Sequence, residues 1–169
     1  GGFWTLTTDP IGPGFHYYSL IIDGVSVVDP ASETFFGMGR MASGIEIPFK
    51  GDGFYELKDV PHGDIRMKRV MTRGGWKKFY IYTPPGYDTD TDKKYPVMYL
   101  LHGGGEDERG WATQGNTDLI MDNLIAAQEA KPMLIVMMDG NTGGGGGVAG
   151  FNIGALNQFE GELKNTIIP

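Results

Sequence analysis

The 169-residue sequence contains no cysteine. Disulfide bonds, zinc sites with thiolate ligands and a cysteine nucleophile are therefore excluded. Basic residues are also scarce, since 14 lysines and arginines stand against 21 aspartates and glutamates and give a formal net charge of −7. A chain with so few cations lacks a basic surface that could neutralise phosphates, so no nucleic-acid partner is expected. A neutral or weakly charged substrate suits this charge better.

Long apolar runs are missing as well. No segment approaches the roughly 20 apolar residues that a membrane-spanning helix needs, so no membrane partner is expected. The first ten residues, GGFWTLTTDP, have neither the basic start nor the apolar stretch of a signal peptide, nor an initiator methionine. We therefore expect an amino terminus that has been processed or cut. An apolar fraction of 40% still predicts a folded core.

Glycine is the abundant residue, at 28 of 169 positions, more than twice its usual share of about 7%. The excess lies in the runs HGGG and TGGGGG and follows no period, which indicates functional loops rather than a repeat. We expect the second run, at 143–147, to form a mobile loop at the rim of an active site.

The first third of the chain alternates short β-type runs with turn residues. Aromatic and β-branched residues between Gly, Pro and Asp clusters predict antiparallel strands in FWTLTT, FHYYSLIID, GVSVV and TFF. No helical period appears before Pro61. These runs are fewer than the seven or so strands of an immunoglobulin-like sandwich. We predict that residues 1–59 are the C-terminal part of such a β-sandwich, with a domain boundary near Asp59.

The pattern changes after Pro61. DIRMKRVMT and WKKFYIYT predict a hairpin, and the unbroken apolar run at 97–101 predicts a strand buried on both faces of a parallel sheet. A helix with Ile120, Leu124 and Ala127 at helical spacing follows and should be stopped by Pro132. PMLIVMMDGN predicts a second buried strand, and a last helix carries Leu156, Phe159, Leu163 and Ile167 on one face. Residues 60–169 therefore predict an α/β domain with right-handed crossovers.

The strand at 97–101 runs directly into HGGGEDERGW. Function in open α/β sheets lies at the carboxyl ends of strands, and glycines there let backbone N–H groups approach a ligand. Such groups can bind phosphate or stabilise an oxyanion. The phosphate-loop spacing and its lysine are absent and three acids follow, so phosphate is disfavoured. A glycine loop after the third strand is the recurrent oxyanion donor of α/β-hydrolases.

Several segments, in this order, resemble carbohydrate esterase family 1, which includes feruloyl and acetylxylan esterases and is related to the esterase D group. They are KKFYIYTPPGYD, YPVMYLLHGGGEDERGW, DNLIAAQEAKPMLIVMMDGN and FEGELKNTIIP. The stretch PGFHYYSLIIDGVSVVDPASETFFGMGRMASGIEIP is similar to the second half of a carbohydrate-binding module of family 48. The resemblance implies a partial α/β-hydrolase fold, an oxyanion-hole N–H at Gly104, loop geometry set by Gly103, and a site wall at Trp111.

The resemblance has one large departure. The family's nucleophile lies in a G-x-S-x-G elbow, with its acid and histidine later in the chain, and no such elbow occurs here. The four serines, Ser19, Ser26, Ser32 and Ser43, all lie in the β-rich part. We therefore expect a fragment truncated at both ends, whose hydrolase domain is completed by a missing C-terminal part or a second polypeptide. Without it, an unpaired sheet edge should make the chain marginally stable or prone to associate.

Other site candidates have two interpretations each. His102 is a substrate-site residue or base, or a structural histidine that shapes the glycine loop. Trp111 is a pocket wall or a packing residue, and Asn141 lines the cleft or makes a turn. The acids at 106–108 are a glycosidase pair or, more simply, a solvated loop or helix N-terminus. His16 and His62 lack a second ligand at metal spacing, so structural roles are expected and no metal site is predicted.

These observations lead to two hypotheses of different classes. The first is a secreted or periplasmic bacterial serine carboxylic-ester hydrolase, without a cofactor, that removes feruloyl or acetyl groups from xylan. The alternative is a non-catalytic carbohydrate-binding or scaffolding fragment with an incomplete hydrolase domain; aromatic runs such as FHYY could stack on sugars. A thioester or peptide hydrolase on the same fold is a third option, because the fold does not fix the acyl group.

Overall fold

The computed structural model describes residues 2, 5–51, 53–72, 75–140 and 153–167. Regular structure in these ranges consists of strands, two α-helices and a terminal π-helical turn. The strands are β1 (Gly14–Tyr18), β2 (Leu20–Ile22), β3 (Val25–Val27), β4 (Thr34–Gly37), β5 (Arg40–Ile47), β6 (Asp64–Thr72), β7 (Gly75–Thr83), β8 (Val97–Leu101) and β9 (Leu134–Met138). The helices are α1 (Thr117–Ala126) and α2 (Ile153–Glu162), and the π-helical turn is Leu163–Ile167.

The N-terminal part is built from antiparallel strands, as predicted. β1, β5 and β4 form a three-stranded sheet in that order, and β2 pairs with β3 in a separate hairpin. The run FHYYSLIID is divided between β1 and β2 at Ser19. The strand predicted in FWTLTT is wrong for residues 5–8, which belong to no strand, while residues 3 and 4 lie outside the described ranges. The sandwich and its boundary near Asp59 stay predictions.

The C-terminal part contains a four-stranded sheet in the order β6-β7-β9-β8. β6 and β7 form the predicted hairpin, β7 pairs antiparallel with β9, and β8 pairs parallel with β9. Helix α1 lies between the two parallel strands in the chain, which is the expected strand–helix–strand order. The α/β organisation predicted from the sequence is therefore confirmed in the described residues.

Strand β8 is not buried on both faces, contrary to the prediction. It is the last strand of the described sheet, and Val97, Met98 and Leu101 are 46%, 43% and 44% exposed. The central strand β9 is the buried one, with Ile135 and Met137 at 2% and 1% exposure. An apolar run indicates a sheet interior, but which strand is central depends on its neighbours.

Helix α1 ends before the predicted stop at Pro132. Gln128 has a φ of 62°, and the N–H groups of Gln128 and Glu129 donate to the carbonyls of Ile125 and Leu124. This is a Schellman cap with glutamine in the position usually occupied by glycine. The helix therefore ends through its own backbone hydrogen bonds, and Pro132 only precedes β9. None of the described helices is long and apolar enough to span a membrane.

A polar group stabilises the packing of α1 against the sheet. Asp122 is 1% exposed, and its carboxylate accepts hydrogen bonds from Tyr82 Oη at 2.6 Å, Gly63 N at 2.9 Å and His62 Nδ1 at 2.9 Å. The next residue, Asn123, donates to the carbonyls of residues 54 and 56. The helix thus holds the chain segment that joins the two parts of the molecule. Since buried polar groups are costly unless paired, this network fixes the position of α1.

Candidate functional site

The candidate site lies where the two parallel strands end. Leu101 of β8 is paired with Met138 of β9, so the next residues, His102 and Asp139, lie side by side at the carboxyl edge of the sheet. Residues 102–106, here named the glycine loop, begin at this edge. This is the position that the sequence predicted for chemistry in an α/β sheet.

His102 is held by two acceptors inside the protein. One ring nitrogen, Nδ1, lies 2.8 Å from the Gly103 carbonyl oxygen, and Nε2 lies 3.1 Å from Asp139 Oδ1. Both partners are acceptors, so a protonated ring can donate to the two of them at once. The Asp139 carboxylate raises the pKa of His102 above its usual value. The side chain is only 6% exposed, which favours the structural interpretation of this histidine over a base.

Glu106 closes the glycine loop on itself. The Gly103 N–H donates to Glu106 Oε2 at 3.2 Å, and the Glu106 N–H donates to the Gly103 carbonyl at 3.2 Å. The other carboxylate oxygen, Oε1, accepts a hydrogen bond from Tyr17 Oη at 3.1 Å. Gln114 Nε2 donates to the same tyrosine oxygen at 2.6 Å. The Gly103 amide is therefore occupied and anchored.

The amide of Gly104, unlike that of Gly103, remains available. No described residue accepts a hydrogen bond from its N–H, and a Cβ at this position would meet nothing within 4 Å. The residue lies between two positions with fixed contacts, Gly103 and Gly105. An amide that is fixed in place and has no internal acceptor has the properties that an oxyanion donor needs.

Gly105 is required for a different reason, close packing. Its φ is 81°, and a Cβ there would lie 3.0 Å from Gly39 N and 3.1 Å from Met38 Cα. The Gly39 N–H also donates to the Gly105 carbonyl at 2.8 Å. Gly105 thus brings the loop backbone into contact with the turn between β4 and β5. The three glycines therefore have different roles: the Gly103 amide is hydrogen-bonded, the Gly104 amide is available, and Gly105 makes a close backbone contact.

Trp111 lies beside the end of β8. Its indole Nε1 donates to the Leu101 carbonyl at 2.8 Å, and its own carbonyl accepts from the N–H and Oγ1 of Thr117. These bonds fasten the turn after the glycine loop to the sheet and to the start of α1. The residue is nevertheless 38% exposed, so part of its surface is free to wall a cleft. Trp111 therefore has a packing role, and its role as a wall of the substrate cleft stays a prediction.

The three consecutive acids do not form a solvated loop or a helix N-terminus. Glu106 has the partners given above, Asp107 binds Arg109 in a bidentate ion pair, and Glu108 Oε1 lies 3.8 Å from Lys78 Nζ. Residues 108–115 form turns rather than a helix. The solvated interpretation was wrong because each carboxylate meets a donor that is not apparent from the sequence. The same pairings leave no free pair for glycosidase chemistry.

The remaining candidates occupy structural positions or lie outside the described ranges. His16 Nε2 faces the Gly12 carbonyl, and His62 joins the Asp122 network. No group of three His, Asp or Glu side chains suited to a metal occurs within the described part of the chain. Ser43 is fully buried and its Oγ accepts from the Asp29 N–H. Asn141 and the glycine run at 143–147 lie outside the described residues.

Sequence reasoning missed two residues at this site, Tyr17 and Gln114. Tyr17 lies 89 positions from Glu106 in the chain, and Gln114 also donates to the Phe36 carbonyl at 3.4 Å. No local pattern marks either residue, because their role depends on how the N-terminal sheet packs on the glycine loop. The one hint in the sequence was Glu106, a carboxylate directly after the glycines that needs a hydrogen-bond donor.

Comparison with known proteins gives a family match in the C-terminal part of the chain. Residues 72–146 match the family described as "Putative esterase". The matched range includes β8, the glycine loop, α1 and β9. The predicted esterase resemblance therefore has independent support over the C-terminal part of the chain.

One curated relative and one solved structure are similar to this chain over more residues than the family match covers. The chain is 42% identical over 168 residues to an endo-1,4-beta-xylanase/feruloyl esterase of Xylanibacter ruminicola, covering 95% of this chain and 22% of that protein. It is similar to a CE1 ferulic acid esterase structure from Anaeromyces mucronatus, with a TM-score of 0.58, 25% identity and coverage of 70% and 46% of the two chains.

A third similar protein is a serine-to-alanine mutant of the feruloyl esterase module from Clostridium thermocellum, complexed with sinapinate. The TM-score is 0.50, with 26% identity and coverage of 65% of this chain and 36% of that chain. Together with the family match, these structures indicate an α/β-hydrolase-like fold for the C-terminal part. The chain spans only about a fifth of its curated relative from Xylanibacter and less than half of the solved esterases.

Proposed function

We propose that this chain is the oxyanion-loop portion of a serine carboxylic-ester hydrolase that acts on plant cell-wall polysaccharides. The bond cleaved is a feruloyl or acetyl ester on xylan. In such an enzyme the nucleophile lies in a G-x-S-x-G elbow with its histidine and acid later in the chain, and these 169 residues contain no such elbow. The names of the relatives, a xylanase/feruloyl esterase and a ferulic acid esterase, support this substrate class. The setting that suits such a substrate is extracellular or periplasmic.

One observation carries the proposal: the Gly104 amide has no described acceptor and lies at the carboxyl end of β8. When a serine attacks an ester carbonyl, the carbonyl oxygen becomes negatively charged. The Gly104 N–H, together with the N–H that follows the serine, stabilises that oxygen without having to move. A single donor of this kind typically contributes about 10²–10³ in rate.

The surroundings of the glycine loop fit this role. His102 and Glu106 hold Gly103 from two sides. The exposed part of Trp111 offers an apolar surface to an aromatic acyl group. Asn141 is a further candidate for the cleft wall.

Product release from defined esters tests the proposal. Purified full-length protein is incubated with methyl ferulate and, separately, with acetylated xylan, and released ferulate and acetate are measured. We expect turnover of at least one substrate, and only background with the 169-residue chain alone. Turnover by this chain that a serine-directed phosphonate blocks would contradict the proposed position of the nucleophile. Lack of ester hydrolysis by the full-length protein would contradict the function.

A second candidate function, carbohydrate binding, is favoured by a cleft of about 340 Å³ beside the N-terminal sheet. Its lining combines aromatic, acidic and amide side chains, which suits sugar stacking and hydroxyl recognition. The lining residues include Phe15, Glu33, Phe35, Glu46, Gln114 and Asn116. This observation supports residues 1–59 as part of a carbohydrate-binding β-sandwich.

Calorimetric titration with xylo-oligosaccharides tests the second candidate. We expect saturable binding by this chain that is lost in Phe35→Ala. A matched control is Phe54→Ala, because Phe54 is an exposed aromatic residue outside the cleft lining. Equal binding by both variants would place the sugar elsewhere. Binding without ester hydrolysis by the full-length protein would favour a scaffolding role over the enzyme.

A further inference from the structure

We propose that Tyr17, on a strand of the N-terminal sheet, is a positioning residue for the glycine loop of the C-terminal part. Its hydroxyl holds the Glu106 carboxylate, and that carboxylate holds the amide that precedes the oxyanion donor. The N-terminal sheet would then act in ester hydrolysis through the loop backbone, independently of any sugar binding. This inference rests on the proposed function only for its effect on catalysis.

The path consists of direct hydrogen bonds. Tyr17 Oη donates to Glu106 Oε1 at 3.1 Å, and Gly103 N donates to Glu106 Oε2 at 3.2 Å. The carboxylate therefore uses one oxygen for each partner. Gly103 precedes Gly104, so an error in the position of Gly103 moves the amide that is proposed to meet the oxyanion. A displacement of about 1 Å at such a distance from the chemistry can cost about 10²-fold in rate.

The direction of the Tyr17 hydrogen bond is set by a second partner. Gln114 Nε2 donates to the tyrosine oxygen at 2.6 Å, so the hydroxyl proton is free to go to Glu106. Burial is the largest cause that raises the pKa of Tyr17, and the charge of Glu106 raises it further. The hydroxyl therefore keeps its proton and remains a donor. A charged acceptor also makes this bond stronger than a neutral one.

The tyrosine ring is itself held in place. A Cβ at Gly37 would lie 2.2 Å from Cζ of Tyr17, so only glycine at this position leaves room for the ring. Phe15 packs edge-on against the same ring at a centroid distance of 4.9 Å. Gly105 docks on the adjacent turn at Gly39, as described above. The hydroxyl thus extends from a fixed ring toward a loop that is in backbone contact with the same sheet.

Two tyrosine variants provide the test. Tyr17→Phe removes only the hydroxyl and keeps the ring packing. Tyr18→Phe is the matched control, since the Tyr18 hydroxyl donates to Asp29 at 2.8 Å within the N-terminal part and does not reach the glycine loop. Amide hydrogen exchange of Gly103 is measured by NMR in the ¹⁵N-labelled chain. We expect a two- to tenfold faster exchange in Tyr17→Phe, the factor that corresponds to one hydrogen bond, and no change in Tyr18→Phe.

Glu106 variants separate positioning from general loss of stability. Glu106→Gln keeps one accepting oxygen, which can serve Gly103 or Tyr17 but not both, so its exchange should fall between those of wild type and Glu106→Ala. Glu106→Ala should match or exceed the effect of Tyr17→Phe. In full-length protein, Tyr17→Phe should lower kcat for methyl ferulate two- to tenfold with KM unchanged, and Tyr18→Phe should change neither.

The outcomes distinguish the two proposals. Equal Gly103 exchange in both tyrosine variants, or a loss in Tyr17→Phe that appears only in KM, would overturn the positioning role. Absence of ester hydrolysis in the wild-type full-length protein would contradict the proposed function, while the exchange rates in this chain would still decide whether Tyr17 positions the loop.

Discussion

Gly105→Ala is the substitution whose effect follows most directly from the backbone. Gly105 has a φ of 81°, and the added Cβ would lie 3.0 Å from Gly39 N and 3.1 Å from Met38 Cα. Both obstacles are backbone atoms, so no flexible side chain can move aside. Either the loop or the turn between β4 and β5 must shift, and the hydrogen bond from Gly39 N to the Gly105 carbonyl, 2.8 Å long, is lost.

The expected cost has two parts. A positive φ costs a residue with a Cβ roughly 1–2 kcal/mol, and one backbone hydrogen bond contributes about 0.5–1.5 kcal/mol. The free energy of unfolding should therefore fall by about 1.5–3.5 kcal/mol. Urea unfolding followed by tryptophan fluorescence measures it, and with a slope of roughly 2 kcal/mol/M the midpoint should move by about 1 M.

Gly104→Ala is the matched control for this measurement. A Cβ at Gly104 meets nothing within 4 Å, and its φ lies outside the range that disfavours side chains. Its urea midpoint should stay within about 0.3 M of wild type, since surface substitutions usually change stability by less than about 0.5 kcal/mol. If Gly105→Ala and Gly104→Ala unfold at the same urea concentration, the glycine loop does not dock on the N-terminal sheet as described.

Two further predictions concern buried polar groups. Asp139 raises the pKa of His102 in the folded state, so this pair stabilises the fold below the ordinary histidine pKa, and the stabilisation is lost as pH rises through the folded-state pKa. Urea midpoints measured from pH 6 to 9 should therefore fall with pH in wild type and fall less in His102→Gln. Equal slopes in the two proteins would contradict the pairing. Asp122→Ala leaves the buried Tyr82 hydroxyl and the Gly63 N–H without their acceptor, so unfolding should become easier by about 2–5 kcal/mol. Asp122→Asn, which keeps one acceptor, should lose less, and an equal loss in both variants would show that hydrogen bonding is not the cause.

Much of the C-terminal architecture could be read from local patterns. The apolar runs at β8 and β9, the periodic helix between them and the hairpin before them all depend on nearest neighbours in sequence, which patterns capture. The exposure of β8 could not be predicted in the same way. The sequence of an apolar strand is the same whether the strand pairs on one side or on two. Val97 is 46% exposed because β8 pairs on one side only in the described sheet.

For the candidate site, the sequence supplied a hypothesis about position and little about its contacts. The glycines after β8 favour an oxyanion loop, and the Gly104 amide has no described acceptor. The contact from Tyr17 to Glu106 joins residues 89 positions apart, and no local pattern encodes such a partner. The burial of Asp122 was not predicted, because its three donors come together only when the chain folds.

The central claim is that the Gly104 N–H stabilises a developing oxyanion, and removing that N–H tests it most directly. In full-length protein, kcat for methyl ferulate is compared between Gly104→Pro, which lacks the N–H, and Gly104→Ala, which keeps it, with circular dichroism to verify the fold of each. We predict that the proline variant loses about 10²–10³ in kcat while the alanine variant keeps most of its activity. A folded proline variant that turns over as fast as the alanine variant would contradict the account.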